Sequence, residues 1–226
     1  MMLEMLQRHV ALVTRVRQDH REKNALWGTG HGFDHAYAVA SNCLKIADGE
    51  AAELAWVSAI CHNTDRHYGE ENVRPMMERY LSLTGFNGPQ KRVVTEAVLN
   101  HSHRPGPNDE LITVILMDSD KLANIDLTVL IRASQFRPND PILDLRYPDA
   151  TVKNRPPGTH YKNPGSILMD MAGCLEWEEP GWFRNLRAME LAKPKFELLR
   201  HMYTNIVAQT KEVGLFDYPF ADDFAG

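Results

Sequence analysis

The segment that most constrains this chain is "AWVSAICHNTDR", residues 55–66. An almost wholly apolar run ends abruptly in His62 and Asn63, followed by Asp65 and Arg66. The apolar part predicts a helix over about 51–62 built for a core, since a helix apolar on all sides has to be enclosed by other elements. Such a helix has no packing reason to finish in imidazole, amide, carboxylate and guanidinium. Side chains at a helix terminus, however, can turn toward a shared cleft without lying deep in a dry interior. The polar end is therefore the place to look for chemistry.

Helical spacing dominates the rest of the chain. Leu3, Leu6, Val10, Val13 and Val16 predict one helix over 2–17, and "WGTGHGF" (27–33) ends it with three glycines. Asp34 is placed to cap a second helix, 35–47. A short helix is expected near 73–83, then a turn at "TGFNGP". Pro89 suits a first helical position and opens a helix whose Val93, Val94, Ala97 and Val98 share a face. Asp109 can cap a further helix from 110 to about 133. Residues 137–165 are proline-rich and aperiodic, in keeping with an ordered functional loop. Arg137, Arg146, Lys153, Arg155 and Lys162 outnumber Asp140, Asp144 and Asp149 there, so the loop is a candidate substrate lid. Helical patterns resume over 166–176 and 181–213, before the tail "FDYPFADDFAG". No stretch reads as a strand. The expected fold class is all-α, in one domain over 1–226 with an extended loop and a C-terminal helical extension (166–213).

Composition narrows the function. A net charge of −5 gives no electrostatic reason to expect nucleic acid as a partner, and leaves room for a small anionic substrate at a locally positive site. Three widely spaced cysteines, Cys43, Cys61 and Cys174, argue against a disulfide framework. With no signal-peptide layout and no membrane-length apolar run, they point to a cytoplasmic protein. A homodimer is left open. Histidine is the outlier: ten residues, where a chain this long ordinarily carries about half as many. Six of them, His31, His35, His62, His67, His101 and His103, fall between residues 31 and 103.

His35 begins one predicted helix, His62 and Asn63 end the next, and Asp118 and Asp120 lie in a later one. Imidazole nitrogen and carboxylate oxygen together suit a divalent transition metal such as Mn, Fe, Co, Ni or Zn. Adjacent helical residues point about 100° apart, so His62 and its neighbour can serve one ion only at a helix end. Asp118 and Asp120, two apart, cannot readily share an ion.

In order and spacing, "GHGFDHAYAV", "AICHNTDR", "VLNHSHRP" and "MDSDKLANI" resemble the segments of the HD-domain superfamily of metal-dependent phosphohydrolases. The resemblance covers about residues 31–130 and implies a helical bundle. It implies His35, His62, Asn63 and Asp120 as metal ligands, Asp120 because it directly precedes Lys-Leu, with Asp118 as runner-up. His101 resembles a residue that binds a second metal or the substrate phosphate, ahead of His103. Arg66, Arg104 and Lys121 are cationic neighbours suited to phosphate oxygens. The implied reaction is hydrolysis of a phosphomonoester, nucleotide or related phosphodiester by metal-activated water, with Asn63, Asp120 and His101 at its centre. Asn63 departs from the pattern, which has aspartate there: an amide offers a carbonyl oxygen but no negative charge and no base. Asp65 carries the lost charge, but in a continuing helix it would face elsewhere. This form is therefore expected to be impaired. Two alternatives follow from the same residues. One is a degenerate domain that binds a nucleotide or protein without turnover. The other is an HD-type di-iron oxygenase, for which His67, His101 and His103 could supply additional ligands.

Overall fold

The computed structural model describes residues 1–26, 30–126, 129–160 and 163–220. Residues 27–29 of the glycine-rich break, Lys162 of the basic loop and the last six residues of the tail lie outside them. The described residues are all-α, without a strand; Thr151–Asn154 and His160–Asn163 form isolated bridges only. No helix among them is long and apolar enough to cross a membrane. The chain packs as two compact units, Met1–Ala123 with Gly181–Leu191, and Asn124–Pro180 with Ala192–Gly226.

The first unit contains α1 (Met2–Arg8), α2 (Val10–Glu22), α3 (Phe33–Ile46), α4 (Gly49–Cys61), α5 (Thr64–Tyr68), α6 (Val73–Leu81), α7 (Gly88–Asn100) and α8 (Leu111–Asn124, its last residue in the second unit). At its centre is the apolar helix, α4, packed against α3 and α7. Every residue from Leu54 to Cys61 is buried. Its one polar residue there, Ser58, donates to the Leu54 carbonyl at 2.8 Å, so the helix enters the core with no unmet polar group from that side chain. Elsewhere in the unit, Tyr80 of α6 donates to the buried Asp19 of α2 at 2.8 Å, and Arg15 pairs with the same carboxylate at 2.7 Å.

Three helix boundaries differ from the sequence expectation, each for a local reason. The helix over 2–17 is two, broken at His9, where φ is −111° and ψ 28°. The His9 ring stacks on Trp56, meets Phe86 edge-on, and bonds Glu53 at 2.9 Å. The buried face is therefore Met5, His9, Leu12, Val13 and Val16, while Leu3 and Val10 are exposed. Asp34 does not cap α3, which starts one residue before it. The Phe33 and Asp34 amides are already bonded to the Ala25 and Leu26 carbonyls, at 2.9 and 3.1 Å, so the turn needs no side-chain cap. The helix expected over 110–133 ends at Asn124, and α9 (Val129–Phe136) follows in the second unit. Asp109 is occupied elsewhere, accepting from the Gly106 amide at 2.9 Å and pairing with Arg184 at 2.7 Å. At α7 the start is stronger than Pro89 alone implied: Asn87 and Gln90 form a reciprocal capping box at 3.0 and 2.9 Å.

The second unit holds α9, α10 (Ile167–Leu175), which packs on α9, and most of α11 (Leu186–Glu212). The loop between α9 and α10 keeps much of its charge within this unit. Arg146 pairs with Asp144 at 2.9 Å, Arg155 with Glu176 at 3.7 Å, and Asp149 with Lys211 at 3.7 Å.

His20, on α2, is buried and bonds the Ala25 carbonyl through Nδ1 at 3.2 Å, with His67 4.4 Å away ring to ring. Burial first, and His67 second, push its pKa down to about 4 from 6.5. Between those values the unfolded chain takes up a proton that the folded chain refuses, so this contribution to stability is complete above pH 6.5 and lost as pH falls through 4. Urea unfolding at pH 7 and pH 4.5 should show wild type losing about 2 kcal/mol more than His20→Phe on acidification. Equal losses would show that His20 titrates as it does in the unfolded chain.

Candidate metal centre

The histidines implicated by the sequence sit where helices begin and end. His35 is in the first turn of α3, His62 terminates α4, His101 terminates α7, and Asp120 lies near the end of α8. Helix ends leave carbonyls short of amide partners, and two of these histidines turn a ring nitrogen onto such a carbonyl. His62 Nδ1 lies 2.7 Å from the Ala59 carbonyl, and His101 Nδ1 lies 2.7 Å from the Val98 carbonyl. A carbonyl oxygen only accepts, so each Nδ1 carries the proton and donates. In the neutral ring this leaves Nε2 with its lone pair in the ring plane, the form that binds a metal. The same bond fixes the ring's orientation, as outer-shell partners of metal-bound histidines do.

The structure brings His35, His62 and Asp120 together. One ligand atom from each lies within 4.8 Å of the other two, and His35 Nε2 is 3.0 Å from Asp120 Oδ1. Donors about 2.1 Å from a single ion stand at most about 4.2 Å apart, so small side-chain rotations would bring all three onto one ion. Two imidazoles and a carboxylate are also the right chemical set for a divalent transition metal. The group therefore fits a metal. The His101 ring stands 5.2 Å from that of His62 and nearly perpendicular to it, outside the three-donor group. His31, one of the clustered histidines, has its ring 6.1 Å from that of His35.

Electrostatics favour the metal-binding form of two of the three candidates, His62 and Asp120. Burial holds His62 neutral far below its usual range, reinforced by His35 and His101 and only partly countered by Asp120. Burial alone would raise Asp120, but its hydrogen bond to His35 and the imidazoles of His35, His62 and His101 outweigh that and hold it well below the ordinary carboxylate range. Asp120 is thus an anion and His62 an uncharged donor at neutral pH.

Asn63 is buried beside His62, and its side-chain nitrogen has no hydrogen-bond partner. Its backbone carbonyl accepts from the Arg66 and His67 amides, at 3.1 and 3.3 Å, where the chain turns into α5. The expected continuous helix is interrupted at this point; Asp65 belongs to the new helix α5 and stands outside the three-donor group.

The remaining candidates separate clearly. Asp118 is fully buried and accepts from the Arg184 and Asn185 amides at 2.9 and 2.7 Å, so its role is structural. Lys121 is buried too, 3.6 Å from Asp118, donating to the Met117 carbonyl and lying over the Phe183 ring. That removes it from the expected phosphate contacts. Arg104 lies over the Trp182 ring, and Arg66 is largely exposed beside Asp65 at 3.5 Å. His103 is exposed, and His67 packs on His20. Sequence reasoning missed Arg184 and Asn185 altogether. An asparagine directly before "LRAMELA" is a helix-start signal, but nothing in the order of residues tells that it meets α8.

No family model matches this sequence, and no curated protein matches it. Among solved structures it is similar to the crystal structure of a structural-genomics target from Lactobacillus plantarum, 17% identical, with a TM-score of 0.71 over 91% of this chain and 98% of that one. The likeness is one of fold.

Proposed function

We propose that this protein is a metal-dependent phosphohydrolase of the HD type, acting on a small phosphorylated substrate such as a phosphomonoester, a nucleotide or a related phosphodiester. The observation that supports this reading most is the convergence of His35, His62 and Asp120 within 4.8 Å, from three different helices. These residues would hold a divalent ion, which when bound supplies Lewis acidity and an activated water. His62 binds through Nε2 because Ala59 holds its Nδ1. His101, held the same way by Val98, offers Nε2 beside the His62 ring and can accept a hydrogen bond from substrate or water. Arg66, exposed and close to the helix end that carries His62, is a cation suited to phosphate oxygens. Asn63 cannot serve as a base, so turnover is expected to be slow in this form. A cytoplasmic setting belongs to the same reading.

The test is a panel of nitrophenyl phosphates, nucleoside mono- and triphosphates and cyclic nucleotides, assayed with added Mn and again with chelator. Slow turnover that chelator abolishes is the expected result. Metal and nucleotide binding without turnover of any substrate, in this chain and in Asn63→Asp, would instead establish a binding domain.

A further inference from the structure

We infer that Asn185 is a positioning residue for the His35–Asp120 pair, setting the register of α3 against α8 from a point remote from both ligands. The inference rests on the metal reading above, and its support is an arrangement of bonds within the first unit.

The side-chain oxygen, side-chain nitrogen and backbone amide of Asn185 each reach a different element. Its side-chain oxygen accepts from the Ala188 amide at 3.1 Å, capping the start of α11. Its side-chain nitrogen donates to the Ile46 carbonyl at 3.0 Å, at the end of α3. Its backbone amide donates to Asp118 Oδ2 at 2.7 Å, in α8. One residue thus ties the helix that carries His35 to the helix that carries Asp120. Arg184 strengthens the hold: its amide reaches the same Asp118 oxygen at 2.9 Å, and its guanidinium bonds the Gly106 carbonyl and Asp109, both at 2.7 Å. A direct bond from Asn42 of α3 to the Ser119 carbonyl of α8, 3.2 Å, lies on the same contact.

The geometry makes this matter to the ligands. Residues two apart on a helix point about 200° apart. Asp118, held by the Asn185 segment, and Asp120, facing His35, therefore fix the rotation of α8 from opposite sides. A carboxylate stands about 6 Å from the helix axis, so a turn of about 10° displaces it by about 1 Å. Ligand constellations tolerate only about 0.5 Å. Ile46 is eleven residues after His35, about 16 Å along α3, so loss of this tie would act through helix register and not through contact with the ion.

The deciding experiment is titration of Co(II) into the metal-free wild type and the Asn185→Ser variant, read by calorimetry and by the visible cobalt absorption. Serine keeps an oxygen for the Ala188 amide and keeps the backbone bond to Asp118, so only the link to Ile46 is removed. The expected result is a cobalt affinity about 10–100-fold weaker with an altered visible band, beside a thermal midpoint of the metal-free protein lowered by only a few degrees, about what one lost hydrogen bond costs. A purely structural role for Asn185 would lower the midpoint and leave affinity and band alone, which would overturn the inference. Asn185→Thr, which also keeps a capping hydroxyl, replaces the serine variant if that variant does not fold. Wild type that binds no cobalt would overturn the metal reading itself, a result visible without any variant.

Discussion

Asp120→Ala should abolish stoichiometric binding of Mn or Co, weakening it by more than about 100-fold, because outer-shell changes alone cost about 10–100-fold and this change removes a ligand. Asp120 is the only carboxylate in the three-donor group; without it two imidazoles remain. The variant should still fold. Asp120 lies at the edge of the core, with its side chain 24% exposed, and the helix it belongs to is anchored through Asp118. Calorimetric titration measures the effect, with Asp65→Ala as the comparison. Asp65 carries the nearest charge in sequence to His62 but lies on α5, outside the group, and its removal should leave metal affinity within a few-fold of wild type. Loss of binding in Asp65→Ala, with binding kept in Asp120→Ala, would mean that the ligand set is drawn on the wrong carboxylate.

Asn63→Asp should act in opposite directions with and without metal. The amide is buried and its nitrogen unpartnered, so the wild-type side chain already sits uneasily there. A carboxylate in its place adds a buried negative charge, which should lower the stability of the metal-free protein by about 1–3 kcal/mol. With a divalent ion present the same charge is compensated. Metal affinity should rise at least about tenfold, and each tenfold gain adds about 1.4 kcal/mol of stability at a fixed saturating concentration. Turnover in the phosphatase panel should rise with it. The readouts are thermal unfolding with chelator and with Mn, and hydrolysis rates for both forms. A variant that is less stable under both conditions and hydrolyses no faster would show that position 63 makes no contact with the ion, and would favour binding without catalysis.

How much of this was legible in the residues alone varies with the kind of force involved. The all-α class followed from periodicity, and α4 followed from an apolar run that only a core can accommodate. The placement of His62 at a helix end was readable too, because apolar spacing stops there. Boundaries set by tertiary contact were not. His9 breaks the first helix because Trp56, Phe86 and Glu53 draw it inward, and all three lie more than forty residues away. Asp34 fails to cap α3 because the backbone of the preceding turn has already met the need. The roles of Asp118 and Lys121 were equally hidden: their partners, the segment around Phe183 to Asn185, enter the first unit from far along the chain. A pattern on one helix shows which residues share a face, but not which distant segment will claim them.

The bonds from His62 to Ala59 and from His101 to Val98 have a consequence for how such a site decays over evolutionary time. Each imidazole also bonds a carbonyl of the helix it terminates, so replacing it removes a hydrogen bond at the helix end as well as a donor. Purifying selection on folding alone would therefore favour keeping both histidines, whether or not the site turns anything over. Position 63 has no such second duty, since its side chain caps nothing. On the metal reading proposed above, a lineage that relaxes its demand for turnover can vary residue 63 without cost to folding and keep the imidazoles, so the survival of His62 and His101 in relatives of this chain does not by itself report on activity.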